Sequence, residues 1–222
     1  MAPPRENSPF RLVVEGRDDK WSIINLLRRH GFDWDDRRIE GRPYVHHTGG
    51  IDPLLDSVIP AVKSHPRVGF VIDADDALER RWQQITDRMM AVGLTVPDDP
   101  PNNGLVIDGY DGEGKVGVWV MPDNTVPGEL EDFIVSLVPE DDSLISFADE
   151  VAKEARDKGA PCAEGDHSKS KIHTWLAWQQ QPGIPFGIAL TSEILSHDSD
   201  LAQRFVQWFA RLFDVEDSIN LP

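Results

Sequence analysis

A single cysteine, Cys162, stands in 222 residues. It excludes an intramolecular disulfide and agrees with a reducing, cytoplasmic setting. No apolar run approaches the roughly 20 residues of a bilayer span, which excludes an integral helical membrane protein. The opening MAPPRENSP has no apolar core segment, so no secretory signal is expected. Positive charge is scarce, with 22 Lys and Arg against 39 Asp and Glu, a net charge of −17. A broad basic surface gripping nucleic acid by counterion release is therefore not expected. Nucleic-acid chemistry is not excluded, because clustered carboxylates can hold metal ions that reverse the local charge. No Cys/His spacing resembles a zinc site. Internal repeats and long low-complexity segments are also missing. What is present, 40% hydrophobic and 27% charged residues, suffices for a folded chain with a real core and excludes global disorder.

Periodicity orders the chain. Phe10 to Val14 (FRLVV) reads as a strand. Asp18-Asp19 then open an amphipathic helix carrying Trp21, Ile24 and Leu27, which stops at Gly31. Arg42 to His47 reads as a strand ending in Thr48-Gly49-Gly50, whose amides could approach a phosphate or simply form a turn. A helix from about Pro53 to Lys63 follows. Val68 to Ile72 (VGFVI) is the continuous apolar run of a strand covered on both faces, and a helix from about Leu78 to Met90 comes next. Leu105 to Ile107 and Val116 to Met121 read as strands around the turn Asp111-Gly112-Glu113-Gly114, and Glu129 to Leu137 as a helix. Beyond Asp141 only helices are expected, at Leu144–Lys158, Lys169–Gln181 and Asp198–Phe213. Strand and helix alternate to about residue 138, which predicts an α/β fold: a mostly parallel sheet with helices on both faces. Residues 1–138 would form its core and residues 139–222 a helical part packed on it, the two making one structural unit.

In open α/β sheets, ligands bind beyond the carboxyl ends of the strands, and acids collect there. Glu15 closes the first strand, Asp73 and Asp75 the third, and Asp123 a later one. Two apart in an extended chain, Asp73 and Asp75 would project to one side. Hard divalent cations take oxygen ligands of this kind. Asp18, Asp76, Glu129 and Asp132 can each be explained as helix caps or dipole partners. Capping needs one acid per helix, however, and does not account for paired acids flanking a glycine at the end of an apolar strand. The pairs Arg28-Arg29, Arg37-Arg38 and Arg80-Arg81 read as solvated helix faces, and the helical tryptophans Trp175, Trp178 and Trp208 as core.

LVVEGRDD before a helix, and GFVIDADD after a second βα unit, resemble the Toprim (topoisomerase–primase) domain. That domain pairs a Glu-Gly at the end of its first strand with a later Asp-x-Asp. MPDNTVPGELEDF is similar to the third acidic motif of Toprim nucleases of the overcoming-lysogenization-defect (OLD) type, and HSKSKIHTWLA resembles their lysine-bearing segment. The chain as a whole resembles a small stand-alone Toprim-like family of prokaryotes. The resemblance implies a Toprim/Rossmann-like fold and a Mg²⁺ or Mn²⁺ site for phosphoryl transfer on DNA or RNA. It implies Glu15 as metal ligand or general acid/base, Asp19 as the second acid of that motif, and Asp73 and Asp75 as metal ligands. Asp123 and Glu131 would serve a second metal. Lys171, or else Lys169, would neutralise charge developing at the scissile phosphate. Neither a strand-cleaving partner domain nor a nucleophilic-tyrosine context supports a topoisomerase, since Tyr44 and Tyr110 are the only tyrosines, and no Gly-x-x-x-x-Gly-Lys-Ser/Thr marks an ATPase. The expectation is a divalent-metal-dependent nuclease or related phosphotransferase. The alternative is a Toprim-like regulatory module acting through a protein partner or a second copy, which the acidity favours because a bare acidic surface repels a polyanion.

Overall fold

The computed structural model describes residues 8–36, 38–110 and 112–221; Arg37, Asp111 and the first seven residues, on which three of the expectations above bear, lie outside the described residues. Five strands form one sheet: β1 (Arg11–Val14), β2 (Tyr44–His47), β3 (Arg67–Asp73), β4 (Leu105–Asp108) and β5 (Lys115–Met121). Their order is β2-β1-β3-β5-β4. All neighbours run parallel except β4, which pairs antiparallel with β5 at the edge. The helices are α1 (Arg17–Arg29), α2 (Ile51–Ser64), α3 (Leu78–Met90), α4 (Leu130–Val135), α5 (Leu144–Asp157), α6 (His167–Ala177), α7 (Phe186–Thr191) and α8 (Asp200–Phe213). The expected alternation is present, and α7 is an element that the sequence pattern did not announce. No helix among the described residues is long and apolar enough to cross a membrane.

The two-residue period of the strands sorts their side chains between two layers. Val13, Phe70, Ile72, Val118 and Val120 face α2 and α3, where Leu54, Val58, Trp82 and Ile85 complete one cluster. Leu12, Val14, Val71, Trp119 and Met121 face the other way, into a larger cluster built from α1, α4, α6, α7 and α8. Burial on both faces is why VGFVI reads as an unbroken apolar run.

Helix α8 lies across the middle of this second face. Gly69 and Gly117 are register partners on β3 and β5, and a Cβ at either would come within 2.6 or 2.8 Å of Leu212 Cδ2. The paired glycines thus open a trough that receives Leu212. Beside it the Trp208 indole N–H donates to the Leu105 carbonyl at 2.9 Å. Arg204 and Arg211 hold the loop before β4 by donating to the carbonyls of Asn102 (2.9 Å) and Asn103 (2.6 Å). Gly117→Val raises β propensity yet overfills the trough. It is expected to cost about 1–3 kcal/mol, lowering the melting temperature by about 2–12 °C in a thermal scan; an unchanged or higher melting temperature would show that α8 does not sit so close.

Candidate metal centre

The carboxyl ends of β1 and β3 and the loop after β5 meet at one edge of the sheet. Glu15 follows β1, and its carboxylate accepts the Asp73 backbone N–H at 2.9 Å, fixing one strand end to the next. Asp73 is the last residue of β3, and its own carboxylate accepts the N–H of Leu130, the first residue of α4, at 3.0 Å. Asp75 is not in an extended chain as expected: at φ 51° it is left-handed, a conformation that Asp tolerates better than most residues. The turn is held by reciprocal backbone bonds with Gly128, at 2.9 and 2.7 Å. The chain doubles back so that Asp75 rejoins Asp73 beside α4. Asp73, Asp75 and Glu129 then offer carboxylate oxygens within 4.8 Å of one another.

Glu129 immediately precedes α4. It is the N-cap residue, as the sequence leads one to expect, and Asp132 closes the capping box from within the helix, accepting the Glu129 N–H at 2.9 Å and a hydrogen bond from the Ser168 hydroxyl. One Glu129 oxygen takes Lys169 Nζ. The other, Oε1, is buried without a hydrogen-bond partner, and a buried unpaired carboxylate oxygen is costly unless a cation answers it. Arg81, only 7% exposed, donates Nε to the Asp73 carbonyl at 2.9 Å and Nη2 to the Asp75 carboxylate. It is an internal brace, not half of a solvated Arg80-Arg81 face.

Burial and mutual repulsion dominate the electrostatics. Burial, followed by the charges of Asp19, Glu15, Glu131 and Glu129, pushes Asp73 up to about 9. Burial lifts Glu15 to about 7 against the opposing Asp73 N–H and Arg81. Glu131 rises to about 7 through burial and then Glu129. Asp19 is raised by burial even though it accepts the Gly16 N–H at 3.0 Å. A set of crowded oxygens, one of them orphaned, has the chemistry of a site for a hard divalent cation.

Glu15, Asp19, Asp73, Asp75 and Glu131 therefore share one electrostatic neighbourhood. Asp123 is engaged elsewhere: one of its oxygens accepts the Thr125 N–H and hydroxyl, both at 2.8 Å, and the Val126 N–H at 3.2 Å, while Arg204 lies 3.9 Å from the other. Lys171 lies 3.5 Å from Asp149, which also binds Lys153 and His167 and so ties α5 to α6. The lysine at the acidic group is Lys169. The amides of Gly49 and Gly50 donate to the Glu15 carbonyl at 2.9 and 3.0 Å, so this turn positions Glu15 and its N–H groups are not directed at a ligand. Glu129, Arg81 and Lys169 are the residues that sequence reasoning left out or placed second.

A family model described as "Protein of unknown function (DUF3226)" matches residues 9–214. No curated protein matches the chain. Among solved structures, the chain is similar to the C-terminal region of the OLD protein of Xanthomonas campestris pv. campestris. The structure phased with mercury gives 14% identity and a TM-score of 0.42 over 96% of this chain and 100% of that one. The structure phased with platinum gives 13% identity and a TM-score of 0.41 over 95% and 96%.

Proposed function

We propose, for a chain that belongs to the DUF3226 family, a divalent-metal-dependent hydrolase or phosphotransferase acting on nucleic-acid phosphodiesters at the carboxyl edge of the sheet. One observation carries the reading: the buried, unpartnered Glu129 Oε1 stands in a group with Asp73 and Asp75 whose oxygens lie within 4.8 Å of one another. The motif resemblance of Glu15-Gly16 and Asp73-Ala74-Asp75 supports it.

Asp73, Asp75 and Glu129 would hold Mg²⁺ or Mn²⁺, which when bound supplies positive charge to a phosphate oxygen and acidity to a coordinated water. The chain's own groups have separate tasks. Glu15, held near neutrality in its protonation by burial, can accept a proton from water and return one to a leaving oxygen. Lys169, in contact with Glu129, places a cation where charge accumulates on the phosphate. Arg81 fixes Asp75 and the end of β3, and Gly49 and Gly50 fix the backbone of Glu15. Glu131 and Asp19 add negative potential that strengthens cation capture.

The test is cleavage of plasmid DNA, single-stranded DNA and RNA with Mg²⁺ or Mn²⁺, paired with calorimetric titration of each ion. Glu129→Gln preserves shape and removes the charge, and is expected to lower activity and ion affinity by at least about 100-fold. Wild-type protein that binds neither ion and cleaves none of the three substrates would overturn the proposal and leave an acidic protein-interaction module in its place.

A further inference from the structure

Between α1 and α7 lies a cavity of about 590 Å³ that the chemistry above does not use. From α1, Arg17, Trp21 and Arg28 line it, and from α7 and the residue before it, Pro185, Ile188 and Thr191. Residues 17, 21 and 28 are separated by four and seven positions, so they form a single stripe of α1. Gly187 lets α7 pack tightly on α1 at the edge of the cavity: a Cβ there would meet Asn25 Nδ2 at 2.6 Å and the Trp21 carbonyl at 2.8 Å. Arg28 is braced by donating Nη1 to the Asn25 side-chain amide oxygen, Oδ1, at 2.9 Å. Ile188 is 49% exposed although it borders the cavity, so an apolar side chain is held in the open facing a half-buried indole.

An indole and an aliphatic side chain bordering one slot suit a flat heteroaromatic ring. Arg17 and Arg28 stand eleven residues apart, roughly 16 Å along the axis, so a phosphate is met by one guanidinium: Arg17, beside the Asp18 carboxylate that also lines the cavity, one turn from Trp21. The amphipathic molecule that carries both is a nucleotide. The cavity also has a direction. Arg17, at its sheet end, follows Glu15 by two residues, and the Glu15 carboxylate touches the end of β3. A phosphate near Arg17 would lead from the cavity towards the acidic edge.

We infer that the α1–α7 cavity binds the base of a nucleotide, with its phosphate directed to Arg17. Resting on the phosphodiester reading, the cavity is the subsite for the nucleotide next to the cleaved bond. The test is calorimetric titration of the full chain in EDTA with the four deoxynucleoside 5′-monophosphates, with deoxyadenosine and inorganic phosphate alongside. Saturable binding of at least one mononucleotide below about 1 mM is expected, with inorganic phosphate much weaker. Trp21→Ala should weaken it by about tenfold or more, and Trp21→Phe should restore most of the loss. Arg17→Gln should weaken the nucleotide and leave deoxyadenosine unchanged. Ile188→Asp, at an exposed position where folding is not at stake, should abolish binding. No mononucleotide binding, phosphate binding as tightly as nucleotide, or full binding by Ile188→Asp would each overturn the inference. Nucleotide binding in EDTA together with no cleavage in the Mg²⁺ and Mn²⁺ assays would sink the phosphodiester reading and leave the cavity standing. Cleavage that Ile188→Asp does not alter would do the reverse.

Discussion

Asp73→Asn is expected to give a protein that melts higher than wild type in EDTA and no longer responds to Mg²⁺ or Mn²⁺. Asp73 is the acid at the centre of the group, raised to about 9 by burial and by four neighbouring carboxylates. Its ionised form is therefore stabilised by little in the metal-free fold. Asparagine keeps the oxygen that accepts the Leu130 N–H at 3.0 Å and removes the repulsion. A gain of about 1–2 kcal/mol, or about 2–8 °C in melting temperature, is expected, together with loss of ion binding and of about 100-fold or more in any metal-dependent activity. The sign with pH follows. Asp73, Glu15 and Glu131 all bind protons more tightly when folded, so their contribution to metal-free stability is fully present below their unfolded values near 4 and is lost as pH rises towards 9. Asp73→Asn should flatten that fall, and a saturating divalent cation should offset it in wild type alone. Differential scanning calorimetry at pH 5 and pH 8, with and without Mn²⁺, reads all of this. A lower melting temperature for the variant in EDTA would mean that the carboxylates stabilise the fold and are not held apart from it for a ligand.

The strands and most helices are legible because their periods are long enough to show. VGFVI declares burial on both faces and the run Leu78–Met90 a single buried stripe, and the structure shows both. Helix α7 is six residues, PFGIALT stripped of its proline, too short for a period to appear. The site is less legible, for reasons particular to each residue. Glu129 is the N-cap residue of α4, a position that accounts for an acid without a second role, and its buried, unpartnered Oε1 is what sets it apart. Lys169 and Lys171 are two residues apart on a helix, about 200° around its axis. One must face away from whatever the other faces, and choosing between them needs the rotation of α6, which packing sets. Arg81 belongs to a pair that looks solvated until the left-handed turn at Asp75 folds a carboxylate over it. Asp73 and Asp75 do come together as expected, but through that turn and not through the alternation of an extended strand. Asp123 ends a strand as the other acids do, yet its loop closes on its own carboxylate, and nothing in the one-dimensional pattern separates those two uses.

A fragment ending at residue 138 is expected not to fold, although it contains all five strands of the described sheet. The alternation of strand and helix stops there, which makes residues 139–222 look like an addition. The buried surface argues otherwise. Phe205, Val206, Trp208, Phe209, Leu212 and Phe213 of α8 are all fully buried, and Leu212 fills the trough at Gly69 and Gly117 in the middle of the sheet. At about 1.5–3 kcal/mol for each large side chain, their loss matches the whole net stability of an ordinary domain, about 5–15 kcal/mol. In the full chain, Trp208→Ala alone should cost about 3–5 kcal/mol, a fall of about 6–20 °C, since it also strands the Leu105 carbonyl and vacates the packing against Trp119 and Phe205. Trp178→Ala, at an indole 39% exposed, should cost far less. Circular dichroism and a thermal scan of the fragment and both variants decide the matter. A cooperative transition in the 1–138 fragment would make the strand-and-helix half a domain in its own right; its absence would mean that the acidic edge is held in place by a sheet whose far face is closed only when the last helix is made.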